Sequence, residues 1–441
     1  MSKEFVDTII YASIVVDPNN ETTPARYKHA IIIDEGLLID VLPYEETMQL
    51  YQAAEEIYLD HHAVMPGLIN AHGHAAMSLL RGYADDYELD TWLNEHIWPA
   101  ENAHVSASFV SLGTELAAAE MIKTGTTTFS DMYFFPEAAA EVVDRVGLRA
   151  QFATTIFDFP CAWGSGPDDY LEKTLRFTST YANHPRVTVA LGPHAPYTVN
   201  DENFAKVVAV AQEHELPIHV HLSETQKEVD DSIAQHGMSP VVRLHKLGAI
   251  KANSQLVHMT ALSEEDMALV AESGASVIHC PKSNLKLASG LCPTQALLNH
   301  GVNVAIGTDG AASNNALDQF SELQYAAMIA KVQHSDPTAI SALTSLKMAT
   351  IGGARALGID HIVGDFTKGK HADLCTVRID AIELQPLHNI ISQLVYTQSG
   401  QKVTDVWVKG HRLLNDTKLT TIDEDALAAK VAKFKTQMST N

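Results

Sequence analysis

At 441 residues, 46% of them hydrophobic, the chain can bury a large core and exceeds what one compact domain usually needs. Its 54 acidic residues against 30 Lys plus Arg give a formal charge of −24, which excludes nucleic acid and anionic membrane surfaces as partners and favours a neutral or cationic small molecule. The four Cys form no CxxC pair, no apolar run reaches membrane-spanning length, and the start MSKEFVDTII lacks a basic then apolar leader, so a cytoplasmic location is expected.

In chain order, residues 5–60 read as short strands with turns (DTIIYASIVV, then HAIIIDEGLLIDVLP). Beyond residue 365, ADLCTVRID and VTDVWVKGHRLL have the same pattern. Neither stretch folds well alone. Together they predict one small, discontinuous β-sheet domain of residues 1–62 and 366–441, with the termini side by side. Residues 63–365 alternate β-rich apolar runs with helical patterns such as GTELAAAEMIK, NFAKVVAVAQEHE and EEDMALVAESG. The candidate strands are 66–74, 125–133, 148–157, 187–197, 217–224, 255–262, 275–284 and 302–313. Eight such repeats predict an α/β fold of the (β/α)8 TIM-barrel type, with its active site at the C-terminal strand ends. The competing architecture is a doubly wound open sheet, but no GxGxxG follows the first strand.

The strand ends carry the chemistry. His72 and His74 close the first strand, and residues two apart face the same way, so both imidazoles point into the barrel mouth as half a zinc site. Taken alone, this HxH is better read as two incidental histidines. The fifth strand, however, ends in His219-Val220-His221 with Glu224 three residues on, the sixth holds His258, and the eighth ends in Thr308-Asp309. Ligand-type residues thus stand at one level on four strands. The segments PGLINAHGHAAMSLLRGYADDYELDTWLNEHIWPAE, HLSET, VHMTAL, CPKSNLKLASG, GTDGAASNNALDQF and GKHADL extend the pattern over nearly the whole chain. They resemble the amidohydrolase superfamily, and within it the 5′-methylthioadenosine/S-adenosylhomocysteine deaminases of the chlorohydrolase-like branch.

The resemblance implies one Zn²⁺ per subunit, with Fe²⁺ as the alternative, held at the positions of His72, His74, His221 and Asp309. Binuclear relatives carry a bridging carboxylated Lys at the end of the fourth strand. Here that strand ends GPHAPY, with His194 and no Lys, so a single metal is expected. His219 is read as a satisfied interior residue deeper in the barrel, and His61 and His62 as solvent or interface residues. The implied activity is hydrolytic deamination of the 6-amino group of an adenine nucleoside. Glu224 would take the water's proton, deliver it to N1 and then help ammonia leave, His258 would hold or polarise the attacking oxygen, and Asp309 would accept from the water. The structural alternative for Glu224 is an acid at a helix N-terminus.

The resemblance assigns Glu101 to the ribose 2′,3′-diol, against a plain surface acid. His194 is a candidate nucleoside contact, against a buried loop histidine. Trp98 covers an apolar substrate face or packs, and Ser313, near the Asp309 loop, receives no role. Relatives that accept an amino-acid tail use Arg in and after the third strand. Residues 150–175 contain none, and Arg149 sits at the bottom of the barrel. Methylthioadenosine is therefore expected to be preferred, with S-adenosylhomocysteine and adenosine as lesser substrates. A guanine, cytosine or triazine hydrolase is the second reading and a metal-free binding protein the third, although no ligand position is missing. A homo-oligomer is expected.

Overall fold

The computed structural model describes residues 3–438. Strands β1 (Glu4–Val16), β2 (Ala25–Asp34), β3 (Leu37–Pro43) and β4 (Tyr51–Pro66) come first. The barrel strands follow: β5 (Leu68–Gly73), β6 (Thr126–Asp131), β7 (Arg149–Ile156), β8 (Val187–Pro193), β9 (His219–Leu222), β10 (Gln255–His258), β11 (Ser276–His279) and β12 (Asn303–Ile306). The last are β13 (Leu374–Arg378), β14 (Val403–Val408), β15 (His411–Asn415) and β16 (Lys418–Leu419).

Strands β5 to β8 pair in parallel and in order, as do β9 to β12. A parallel bridge between Leu191 and Ile218 joins the two halves at one seam. At the other, the Asp309 amide donates to His72 O at 3.1 Å. The result is a (β/α)8 barrel. Every residue of β5, β6 and β7 is buried, as expected for parallel strands covered on both faces. Several of the intervening helices begin at side-chain caps: Ser106 accepts from Phe109 N, Asn200 from Asn203 N and Thr225 from Glu228 N.

Most strands end earlier than their apolar runs. Of 302–313 only Asn303–Ile306 is strand, and of 275–284 only Ser276–His279. At the mouth the chain leaves the ladder through left-handed residues, Ser223 (φ 50°), His258 (φ 74°) and Asp309 (φ 60°). Such conformations cost energy and cluster where side-chain aim matters more than regularity. Just below, a Cβ on Gly307 would lie 2.8 Å from His72 O and 2.9 Å from His72 Cβ, so only glycine lets β12 approach β5.

The termini build a separate eight-stranded sheet, ordered β16-β15-β14-β13-β4-β1-β2-β3. Its N-terminal strands are longer than the short ones expected from sequence. β1 has 13 residues and β4 has 16, because they pair in parallel from Glu4–Tyr51 to Val15–Val64. Ile10, Val15, Ile31, Leu59, Leu374 and Trp407 fill one of its faces. The sheet joins the barrel floor through Arg149, whose Nε and Nη2 donate to Asp373 at 3.1 and 3.2 Å. His61, exposed, and His62 lie within β4. Helix Glu424–Met438 leaves the sheet to pack on the barrel helix Ala107–Lys123, with the Phe434 ring 5.4 Å from that of Phe109. No single helix among the described residues is long and apolar enough to cross a membrane.

Candidate active site

His72 lies at the end of β5 and His74 one residue beyond it. The His74 Nδ1–H donates to Met132 O at 2.6 Å and the His221 Nδ1–H to His194 O at 2.8 Å, which leaves Nε2 of each as a lone pair. His72 Nδ1 lies 2.8 Å from His219 Nε2, and His219 Nδ1 lies 2.5 Å from Gln255 Oε1. On the far side of its ring, His72 Nε2 stands 3.3 Å from His221 Nε2 and 3.5 Å from Asp309 Oδ1. His74 Nε2 is 3.2 Å from the same oxygen. The other carboxylate oxygen, Asp309 Oδ2, accepts from Ser283 Oγ at 2.5 Å and Ser313 Oγ at 3.1 Å.

Three imidazoles and a carboxylate thus converge, and the cluster calls for positive charge. Burial pushes Asp309 upward, but the hydrogen bonds and charge of His72 and His74 hold it well below the usual carboxylate range. Burial lowers His74, and Asp309 more than reverses this, taking it up to about 9. The spot beside Asp309 therefore favours positive charge, which a bound cation supplies in place of a proton. Burial holds His72 and His221 well below their ordinary value, so both are neutral. Their facing lone pairs still lack a partner, which a divalent cation supplies. The donor atoms fall in two overlapping groups, His72 with His74 and Asp309, and His72 with His221 and His258, and ring nitrogens with a carboxylate oxygen suit such an ion. The shared pattern of Nδ1 anchored and Nε2 free is how metal-binding histidines are oriented.

Glu224 follows β9 at the foot of helix Gln226–His236. Its Oε1 accepts from Ser289 Oγ at 3.1 Å, and its Oε2 lies 3.7 Å from His258 Nε2. Burial raises its pKa. Glu228, in the first helical turn, accepts from the amides of Ser223 and Glu224 at 2.9 and 2.8 Å, and with the Thr225 cap it fixes the backbone that carries Glu224. The His258 ring is held by Asn284 Oδ1, 2.8 Å from Nδ1.

Above the donors opens a cavity of about 670 Å³ with apolar walls including Trp92, Trp98, Phe134 and Phe157. Glu101 is buried in its wall and accepts the Tyr133 hydroxyl at 2.6 Å, and burial raises its pKa to about 7. His194 lines the same space, its ring 4.8 Å from that of His221, and burial with the neighbouring histidines lowers it to about 3. No Lys or Arg lines the cavity among the described residues.

His74, His221, Asp309, Glu224, His258, Glu101, His194, Trp98 and Ser313 all face this cavity, with His72 beneath it. His219 lies one layer deeper and is bonded on both ring nitrogens. Sequence reading missed Gln255, Tyr133, Asn284 and Ser283. Ser283 lies in the CPKSN motif, where the neighbouring Asp309 loop gave a usable hint. The other three are brought in by strand pairing and loop packing, which leave no spacing signal.

Residues 63–413 match the model of the amidohydrolase family. A Teredinibacter turnerae protein named 5-methylthioadenosine/S-adenosylhomocysteine deaminase is 48% identical over 93% of this chain and 92% of its own length. One of the same name from Saccharophagus degradans is 45% identical over 94% of each. Among solved structures, an adenosine deaminase from Xanthomonas campestris with bound zinc covers 100% of both chains at 44% identity and a TM-score of 0.98. A zinc-complexed atrazine chlorohydrolase from Arthrobacter aurescens, 22% identical, shares the fold with a TM-score of 0.89 over 97% of this chain and 99% of its own. Barrel, donor cluster and relatives agree: the chain belongs to the amidohydrolase family.

Proposed function

We propose that this chain is a zinc-dependent deaminase that hydrolyses the 6-amino group of adenine nucleosides, with 5′-methylthioadenosine preferred, to give the inosine analogue and ammonia. The observation that carries the reading is the placement of Glu224 beside the His–Asp donor groups, with His258 at their edge, beneath an apolar cavity whose wall holds a buried Glu101–Tyr133 pair. The names of the close relatives point the same way. His72, His74, His221 and Asp309 would hold one ion, zinc before iron(II). When bound, it supplies Lewis acidity that makes water a nucleophile near neutral pH.

Glu224 takes one proton from the attacking water at its free Oε2 and delivers it to N1 of the purine as the oxygen adds to C6, then takes the proton of the new C6 hydroxyl and passes it to the departing amine. A raised pKa suits a carboxyl that both accepts and returns a proton. His258, held by Asn284, steadies the attacking oxygen, and Asp309 accepts from it. Glu101 accepts from the ribose diol, and Tyr133 keeps its carboxylate aimed into the cavity. His194, kept neutral, contacts the nucleoside without adding charge.

The preference for methylthioadenosine rests on the 5′ end of the site. Trp98, Phe134, Phe157, Phe159 and Pro160 line a recess that continues the cavity. Lys173, the first cation after this stretch in sequence, is tied to Trp163 O at 2.5 Å and Asp169 at 2.9 Å. An amino-acid carboxylate thus lacks a charged partner, a loss worth roughly 1.5–3 kcal/mol, or about ten- to a hundredfold. Ammonia release from methylthioadenosine, adenosine, S-adenosylhomocysteine, guanine and a triazine tests both levels of the proposal. No turnover of any adenine nucleoside removes the activity. Equal or better kcat/KM with S-adenosylhomocysteine removes the preference alone.

A further inference from the structure

We infer that Gln255 is a positioning residue which, acting through His219, decides which ring nitrogen of His72 carries its proton and hence whether the cluster can accept a cation. The inference rests on the metal centre proposed above. Its starting point is a difference among the three imidazoles. His74 and His221 are anchored on main-chain carbonyls, which only accept, so their protons are committed to Nδ1 whatever else changes. His72 is anchored on another imidazole, and a hydrogen bond between two neutral imidazoles runs in either direction.

The two directions have opposite consequences. With the His219 proton on Nδ1, its Nε2 accepts from the His72 Nδ1–H, and His72 Nε2 turns a bare lone pair toward His221 Nε2 and Asp309 Oδ1. With the His219 proton on Nε2, that proton is donated to His72 Nδ1. The His72 proton must then sit on Nε2, at the centre of the donor cluster, where it blocks the ion. Gln255 Oε1, 2.5 Å from His219 Nδ1, accepts there and selects the first arrangement.

Gln255 is fully buried, and its Nε2 has no hydrogen-bond partner, so the acceptor bond to His219 is what its side chain contributes. The parallel ladder places it there, since Gln255 of β10 is the direct partner of His219 of β9. An amide also ends the relay without charge, whereas a carboxylate would bring one into the barrel interior.

Two substitutions and one spectrum test the relay. Gln255→Leu removes the acceptor at similar size, and Gln255→Glu keeps an acceptor at the same place while exchanging the unpartnered amino group for a second oxygen. Zinc retention by the full-length holoenzyme against a competing chelator is expected to weaken about ten- to a hundredfold in Gln255→Leu, the usual range for a lost outer-layer partner, and to return to near wild type in Gln255→Glu. Retention unchanged in Gln255→Leu, or equally weak in both variants, overturns the proposal. Ring nitrogen-15 spectra of the wild-type holoenzyme need neither variant to fold. They should show His219 protonated on Nδ1 and bare on Nε2, and the reverse tautomer overturns the relay. Absence of both zinc and iron from the purified wild type would overturn the metal reading itself, which keeps the two failures apart.

Discussion

Arg149 and Asp373 at the barrel floor, and the His72–Asp309 cluster at its mouth, are both buried groups of charged and polar side chains, yet they balance in opposite ways. At the floor the Arg149 guanidinium meets both Asp373 oxygens, Pro185 O and, at 3.0 Å, His371 Nδ1, while Lys409 N donates to Asp373 at 2.7 Å. Donors meet acceptors and the two charges cancel, with side-chain exposures of only 4% and 2%. At the mouth, acceptors face acceptors, held in place by partners behind them. Burial of charge is therefore no mark of a site in this molecule. A cluster of ring nitrogens turned on one carboxylate, which draws positive charge, is. The floor is complete as it folds, and the mouth is complete only with something added.

Removing a donor at the mouth should produce the largest effect. His72→Ala or Asp309→Ala is expected to abolish bound metal and deamination together while leaving the barrel folded. Elemental analysis beside ammonia release checks this, and a His72→Ala protein with full metal and full turnover would contradict it. The floor should respond the other way. Arg149→Leu leaves Asp373 buried and unpaired at a cost of about 3–5 kcal/mol, read as a lower denaturation midpoint. The kcat/KM of the folded fraction should stay at the wild-type level, and a parallel loss of catalysis would erase the contrast between the two ends. Glu224→Gln divides the mouth itself, keeping the metal while turnover drops at least about a hundredfold. Near-normal turnover would move the proton transfer to another group.

The smallest effect concerns Glu101. Glu101→Gln should weaken nucleosides by about 1–3 kcal/mol and free-base analogues far less. Because burial raises its pKa from 4.5 to about 7, the ionised form that accepts the diol is populated only as pH rises through that value. The kcat/KM for ribonucleosides should climb to a plateau above about pH 7, and Glu101→Gln should lose that limb. The folded state holds the proton more tightly than the unfolded one. The contribution of Glu101 to stability is therefore full below 4.5 and declines as pH rises to about 7, a slope that thermal melts of the two proteins would expose.

The barrel was legible because eight apolar runs alternate with helical patterns. The chemistry was legible because ligand types recur at strand ends. The strand ends themselves were not. In 302–313 the apolar run continues past Ile306, and nothing in periodicity announces that Asp309 will adopt a left-handed backbone. The lengths of β1 and β4 were hidden for a related reason, since each is stabilised by a partner about 47 residues away in sequence. Gln255 shows the limit most clearly. Its importance comes from lying beside His219 across a ladder, 36 residues apart, and from the direction of a proton, neither of which a residue type reveals.

The closing seam between β12 and β5 has a consequence for how the protein is made. The amide that completes the barrel belongs to Asp309, the last of the four donors, and it lands on the carbonyl of His72, the first. A chain still emerging from the ribosome presents His72 and His74 long before residue 309 exists, and two imidazoles on one strand hold an ion weakly. The donors from both ends of the barrel therefore come together only with ring closure. Protein synthesised under zinc starvation should accordingly accumulate as folded, empty barrels that regain their ion when zinc is returned, with no need to unfold.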